Sequence, residues 1–399
     1  MPNGNAPRRH VYRSRRPDGR FLSTLGFNHY ALKTGRPKLA FTPGMSDEEL
    51  RAWRAAVKDK LRELMGFPQA PPQPAPCLLW TQERSGYKLQ KWESYPEPGS
   101  VVPLLMLVPN GASTENPAPA VLCSPGSQHT KEFLAGEPEL DPTVYPTKFP
   151  EQNKMAWWYA QAGMVAVAVE NPGTGELADG IQKTVDSQRN CVSVDLIFTG
   201  RSYLGLSVFQ KLHILEWMKT LGFVDSQRIA LSGHSLGTEP AMVLAVFGDS
   251  IRALVFNDFL CNCRQRICVL SKPGDVQRHW VGGLWHLAPG LLDWVDFPDI
   301  LAAFAPRPLI ITEGGPTAEL LRVQQAYAAH GAGGNFKFYY YPKYENAERR
   351  RDDEEIPEGL TGEEYLEYAN VDAPNHYFKH HLAVPWLTRV LSSGATFRV

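Results

Sequence analysis

Through the middle and end of the chain, short apolar runs alternate with stretches whose apolar residues recur at helical spacing. The runs Ala120 to Ser124, Met164 to Glu170, Arg228 to Ser232, Ala253 to Asn257, Leu309 to Thr312 and Phe336 to Tyr341 have strand length and turn-forming flanks. Helical patterns near Asn153 to Ala162, Gly205 to Leu221, Gly237 to Phe247 and Ala318 to Ala329 fall between them. That alternation predicts an α/β fold with a mostly parallel central sheet and helices on both faces, since parallel neighbours need crossovers that bury both sides. Ahead of it, Cys77 to Thr81, Lys88 to Ser94 and Val102 to Val108, joined by turns at Ser85-Gly86 and Pro98-Gly99, read as antiparallel opening strands. Further upstream, Ser46 and Glu49 have capping-box spacing at the start of an amphipathic helix over residues 45–65, and the proline-rich Pro68 to Pro76 forms a linker.

This pattern divides the chain into an N-terminal extension, residues 1–76, and one catalytic-sized domain, residues 77–399. Two connections exceed ordinary loop length. The segment 259–300 carries Trp280, Trp285, His286, Trp294 and Phe297 and is expected to fold over the strand ends as a lid or pocket wall. The charged segment 343–375 reads as a surface insertion.

Composition narrows the function classes. The 399 residues are 43% hydrophobic and 11% aromatic, enough for a sizeable core. Lys+Arg 41 against Asp+Glu 42 leaves a net charge of -1, which argues against a nucleic-acid or membrane-surface role. The basic start, including Arg13, Arg15, Arg16 and Arg20, reads as a solvated tail. Met1-Pro2-Asn3-Gly4-Asn5 lacks the apolar core of a secretory signal and no apolar run reaches membrane-span length, so the expectation is a soluble, cytoplasmic protein. Cys261-x-Cys263 with Cys268 has no zinc-ligand spacing, so reduced thiols and no metal are expected. Oligomeric state is left open.

The chemistry centres on Gly233-His234-Ser235-Leu236-Gly237, which follows a predicted strand and precedes a predicted helix. A serine at such a turn is pushed clear of its neighbours, and the Leu236 amide at the helix start faces the same space and can hold an oxyanion. The loop Pro125-Gly126-Ser127 after an earlier strand offers Ser127 N–H as the second donor. A serine needs a base and the base an orienting acid, in the chain order Ser, acid, His. Of the later histidines, His376 in Asp372-Ala373-Pro374-Asn375-His376-Tyr377-Phe378 is preferred; His380 and His381 read as turn residues before a terminal helix restarted by Pro385. For the acid, Asp258 at the end of the strand after the nucleophile is preferred over Glu313, for its shorter and stiffer reach. This chemistry requires no cofactor.

With these residues placed, the chain resembles the α/β-hydrolase superfamily, and more narrowly its acetyl-xylan-esterase-like and dienelactone-hydrolase-like branch. The resemblance runs from about Leu104 onward. It rests on Ser124-Pro125-Gly126-Ser127, Gly200-Arg201-Ser202, the serine elbow, Phe297-Pro298-Asp299-Ile300, Ala305-Pro306-Arg307-Pro308-Leu309 and His376. It implies a serine carboxylesterase acting on a small-molecule or carbohydrate ester, with Ser235 and His376 carried over. Gly315 stands where relatives have an aspartate, and Asp258 where they have a small residue, which suggests a relocated acid. Arg201 and Trp285 are expected to line the pocket. Two further readings remain open: a serine peptidase or amidase using the same triad, and a degenerate hydrolase acting as a binding protein.

Overall fold

The computed structural model of the chain describes residues 12–140, 150–180, 184–270, 283–286, 288–352 and 355–393. Nine strands form one sheet in the order β1-β2-β3-β5-β4-β6-β7-β8-β9. They are β1 Cys77–Arg84, β2 Tyr87–Ser94, β3 Val102–Pro109, β4 Ala118–Ser124, β5 Val165–Val169, β6 Val224–His234, β7 Ile251–Asn257, β8 Leu309–Ile311 and β9 Phe336–Phe338. The opening strands are antiparallel, and β3 also pairs antiparallel with β5, Leu104 opposite Val169. From β5 through β4, β6, β7 and β8 to β9 every pairing is parallel.

The alternation of side chains along each strand feeds two cores, one per face of the sheet. Leu104, Leu122, Val167, Leu231, Leu254 and Ile311 point into one, and Leu105, Val121, Ala166, Ala230, Val255 and Ile310 into the other. The first core is covered in part by the helix Asp47–Met65, whose Leu50, Trp53, Val57, Leu61 and Met65 recur at 3–4 residue spacing and are buried. Ser46 and Glu49 close a complete capping box at its start, and Gly66 ends it in the left-handed conformation. The second core is covered by the helices Met155–Gln161 and His380–Ser392, through Tyr159, Trp386 and Leu387.

Several helices exceed the sequence expectation: Thr24–Thr34, Val185–Phe198, Cys263–Val269, Phe297–Ala303 and Gly362–Tyr368. Three of these are only seven residues long, too short for an apolar period to stand out. The last helix also differs. It starts at His380 and carries Pro385 inside, so the proline does not open it. The backbone bond that Pro385 cannot donate is outweighed by burial of Trp386, Leu387 and Leu391. Among the described residues no helix is long and apolar enough to cross a membrane, and all six cysteines are free.

What positions chemistry is the parallel half of the sheet. Strands β4, β6, β7 and β8 run the same way and end side by side, so the residues just beyond their carboxyl ends share one edge of the molecule. Those residues are Pro125 to Ser127, Ser235, Asp258 and Glu313.

Candidate active site

Strand β6 ends at His234, and Ser235 enters a short 3-10 turn, Ser235–Gly237, that leads into the helix Thr238–Phe247. Ser235 has φ 51°, a left-handed backbone that only one other non-glycine residue, Asn370, adopts among those described. Such a conformation costs of order 1–3 kcal/mol and persists only where its surroundings enforce it. Here the flanking glycines enforce it by close approach. A Cβ on Gly237 would lie 2.2 Å from the Ser124 carbonyl oxygen, and one on Gly233 would lie 2.5 Å from that of Gly237. The Thr238 hydroxyl donates to the Ser235 carbonyl at 2.7 Å and ties the turn to the helix.

His376 comes from the loop ahead of the last helix. Its Nδ1 lies 2.6 Å from Glu313 Oε2. Glu313 is fully buried, and its carboxylate also takes the Tyr341 hydroxyl at 2.7 Å, Lys379 Nζ at 2.9 Å and Asn257 Nδ2 at 3.4 Å. Burial alone would raise the Glu313 pKa, but the charge and hydrogen bond of His376, with Lys379, hold it below the usual carboxylate range. Burial likewise opposes protonation of His376, yet the Glu313 carboxylate, aided by Asp258, lifts its pKa to about 9.

Asp258, preferred from sequence as the partner of this imidazole, does not make that bond. Its Oδ1 accepts from the Phe259 amide at 2.8 Å, although donor atoms of Asp258, Glu313 and His376 all lie within 4.8 Å of one another. Burial pushes its pKa up to about 6, with the charge of His376 pulling down and that of Glu313 pushing up. The shorter reach that favoured Asp258 leaves it tied to its own following amide. Glu313, one methylene longer, meets both the imidazole and a set of donors that keeps it ionised. The neighbouring Gly315 explains why no aspartate stands two residues on. Its φ is 137°, and a Cβ there would fall 2.3 Å from the Leu260 carbonyl oxygen.

Beneath His376 lies His234, with ring centroids 4.9 Å apart and planes at 26°, and His129 follows at 5.7 Å from His234. Burial drives the His234 pKa well below its ordinary value, reinforced by the charges of His376, His129 and Lys379. Burial and then His376 lower His129 to about 4. Both are therefore neutral at pH 7, and His234 stacks on the ring of His376 without adding charge. The loop after β4 is fixed from two sides. Asn171 Nδ2 donates to the Pro125 carbonyl at 2.9 Å, and Arg189 Nη1 to that of Ser127 at 2.7 Å.

Ser235, Leu236, Ser127, Asp258, Trp285 and His376 all line one cleft of about 360 Å³. The candidate nucleophile, imidazole and two candidate amide donors named from sequence thus share one cleft. First-turn amides of a helix have no partner within it, so the Leu236 N–H is free of the helix ladder to meet a bound oxygen.

A profile of the Abhydrolase family matches residues 4–389. This chain belongs to that family of α/β-hydrolases. Within it the chain is acetyl-xylan-esterase-like. A Bacteroides fragilis NCTC 9343 crystal structure, provisionally described as an acetyl xylan esterase, superposes with TM-score 0.88 at 41% identity, covering 95% of this chain and 98% of that one. The hydrolase provisionally named YtaP of Bacillus subtilis (strain 168) is 25% identical over 195 residues, 49% of this chain and 59% of its own length. The chain thus spans little more than half of that curated relative. A glucuronoyl esterase of Solibacter usitatus shares the fold alone, at TM-score 0.52 and 13% identity over 75% of this chain and 86% of that one.

Other expectations for this α/β-hydrolase site fare differently. Arg201 is not among the cleft-lining residues; its guanidinium is spent on a bidentate pair with Glu97, at 2.8 and 3.0 Å. Trp285 does line the cleft, under the Arg189 guanidinium at 4.6 Å, whereas Trp280 lies outside the described residues. The 343–375 segment is more than surface. Leu366, Val371 and Ala373 form part of the cleft wall, anchored by fully buried Tyr365. Sequence reasoning missed Tyr341, Lys379, Asn257, Arg189 and Glu239. The first three carry a retrospective signal, polar residues beside predicted strand ends or the chosen histidine. For Arg189 and Glu239 no signal stood out.

The Asp258, Glu313 and His376 trio also has the composition of a metal site. It does not fit one. Both Glu313 oxygens are already taken, one of them by the Lys379 ammonium that a cation would have to displace.

Proposed function

We propose that the protein is a serine carboxylesterase that cleaves an acylated carbohydrate through an acyl-enzyme. The observation that carries this reading is the strained Ser235 turn sharing one cleft with an imidazole held at 2.6 Å by a buried carboxylate. In the first step His376 takes the Ser235 hydroxyl proton through Nε2 while Oγ attacks the ester carbonyl carbon. The Leu236 and Ser127 amides hold the resulting oxyanion. The imidazolium then gives its proton to the leaving alcohol, and a water activated by the same imidazole cleaves the acyl-enzyme to release the acid. Glu313 orients His376 and stabilises its charged form, the role assigned from sequence to Asp258. No step calls for a metal or organic cofactor.

The carbohydrate part of this proposal draws on the 41% identical Bacteroides fragilis structure. Turnover of acetylated xylo-oligosaccharides and p-nitrophenyl esters, alongside aminopeptide p-nitroanilides, tests it. Acetate release together with stoichiometric labelling of Ser235 by a fluorophosphonate is expected. Amide turnover far above ester turnover would reassign the protein as an amidase, and a folded protein that neither turns over nor labels would be a binding protein.

A further inference from the structure

Four residues beyond Ser235, Glu239 lines the same cleft from the first turn of the following helix. It is 6% exposed, and burying a carboxylate is costly unless its oxygens are satisfied. One oxygen is: Oε1 lies 2.7 Å from His286 Nδ1. The other, Oε2, has no hydrogen-bond partner among the described residues. Glu239 stands in the first turn of its helix, where no side-chain cap hydrogen bond is made. A buried acceptor with one oxygen unspent, in the cleft that Ser235 and Trp285 also line, is a group left for a ligand donor.

We infer that Glu239 is a specificity residue that accepts a hydrogen bond from a free hydroxyl of the substrate, so that the cleft selects polyhydroxylated esters over alkyl esters of the same acid. This rests on the esterase reading above. His286 fixes the carboxylate through Oε1, and the substrate hydroxyl supplies the missing donor to Oε2. A hydrogen bond to a charged acceptor is stronger than a neutral one, and a site built to receive a hydroxyl rejects an analogue that lacks it.

The test is the ratio of kcat/KM for a monoacetylated methyl xyloside to that for cyclohexyl acetate, the same ring size without hydroxyls. In the unaltered protein the ratio is expected to be about a hundredfold, and in Glu239→Gln to fall at least tenfold; Glu239→Ala is expected to follow it. A ratio that stays constant while both rates fall together would overturn the inference, leaving Glu239 as a holder of His286 only. A ratio near one in the unaltered protein would overturn it without any variant. Calorimetric binding of an acetylated xylo-oligosaccharide to Ser235→Ala, with and without Glu239→Gln, separates this inference from the esterase reading. Tenfold weaker binding on loss of the carboxylate supports the hydroxyl contact even if no ester is turned over, and equal binding defeats it even if esters are.

Discussion

The tips of β7 and β8 each present a carboxylate to the same imidazole, and the two behave in opposite ways. At the end of β8, Glu313 is enclosed and surrounded by donors from Tyr341, Lys379, Asn257 and His376, and stays ionised. Beyond β7, Asp258 is half-buried, bonded to its own following amide, and its pKa rises to about 6. Position along the chain lets either reach His376, and side-chain length favoured Asp258. What separates them is the set of donors each finds in the tertiary structure, because a buried charge persists only where it is paired and hydrogen-bonded.

The largest expected effect comes from removing the proposed nucleophile itself. Ser235→Ala is expected to lower kcat for an activated ester by about 10⁴-fold or more, measured by stopped-flow release of nitrophenolate. Next comes the comparison itself. Glu313→Gln should cost about 10³-fold to 10⁴-fold in kcat, as loss of the orienting acid does elsewhere, whereas Asp258→Asn should cost less than about tenfold. The opposite order would return the orienting role to Asp258.

The pH profile sharpens the contrast. The base must be neutral to accept a proton, so with the His376 pKa lifted to about 9, kcat/KM should climb as pH rises from 7 toward 9. Both anions favour the imidazolium, so removing either lowers the His376 pKa. The acidic limb for Asp258→Asn should therefore move to lower pH with little change in plateau, and a limb that stays in place would show that Asp258 does not sense the imidazole. The smallest expected effect is that of Tyr341→Phe, which deletes one of the donors that Glu313 has and Asp258 lacks. A loss of about threefold to tenfold in kcat, roughly 1 kcal/mol, would fit one hydrogen bond to the carboxylate. An unchanged kcat and pH profile would mean the remaining donors suffice.

Legibility from sequence followed the range of the interaction. The capping box of Ser46 and Glu49, the paired opening strands and the serine elbow are local arrangements, and each stands where its residues predicted. Arg201 failed because a guanidinium's direction depends on Glu97, 104 residues away. The 343–375 segment failed in the other direction. Its charge suggested solvent, but the apolar residues interleaved with that charge turn inward and supply Leu366, Val371 and Ala373 to the cleft.

By itself the sequence determined the alternating pattern, the strained turn at Ser235 and the sheet edge at which the candidate site residues gather. Steric limits on glycine-flanked turns and the directionality of parallel strands act within a few residues or follow from strand order. Only the tertiary structure decided which carboxylate holds His376, which aromatic and charged side chains face the cleft, and that Glu239 keeps an unspent oxygen there. Those outcomes depend on desolvation and on hydrogen bonds between residues tens to hundreds of positions apart, which no spacing along the chain encodes.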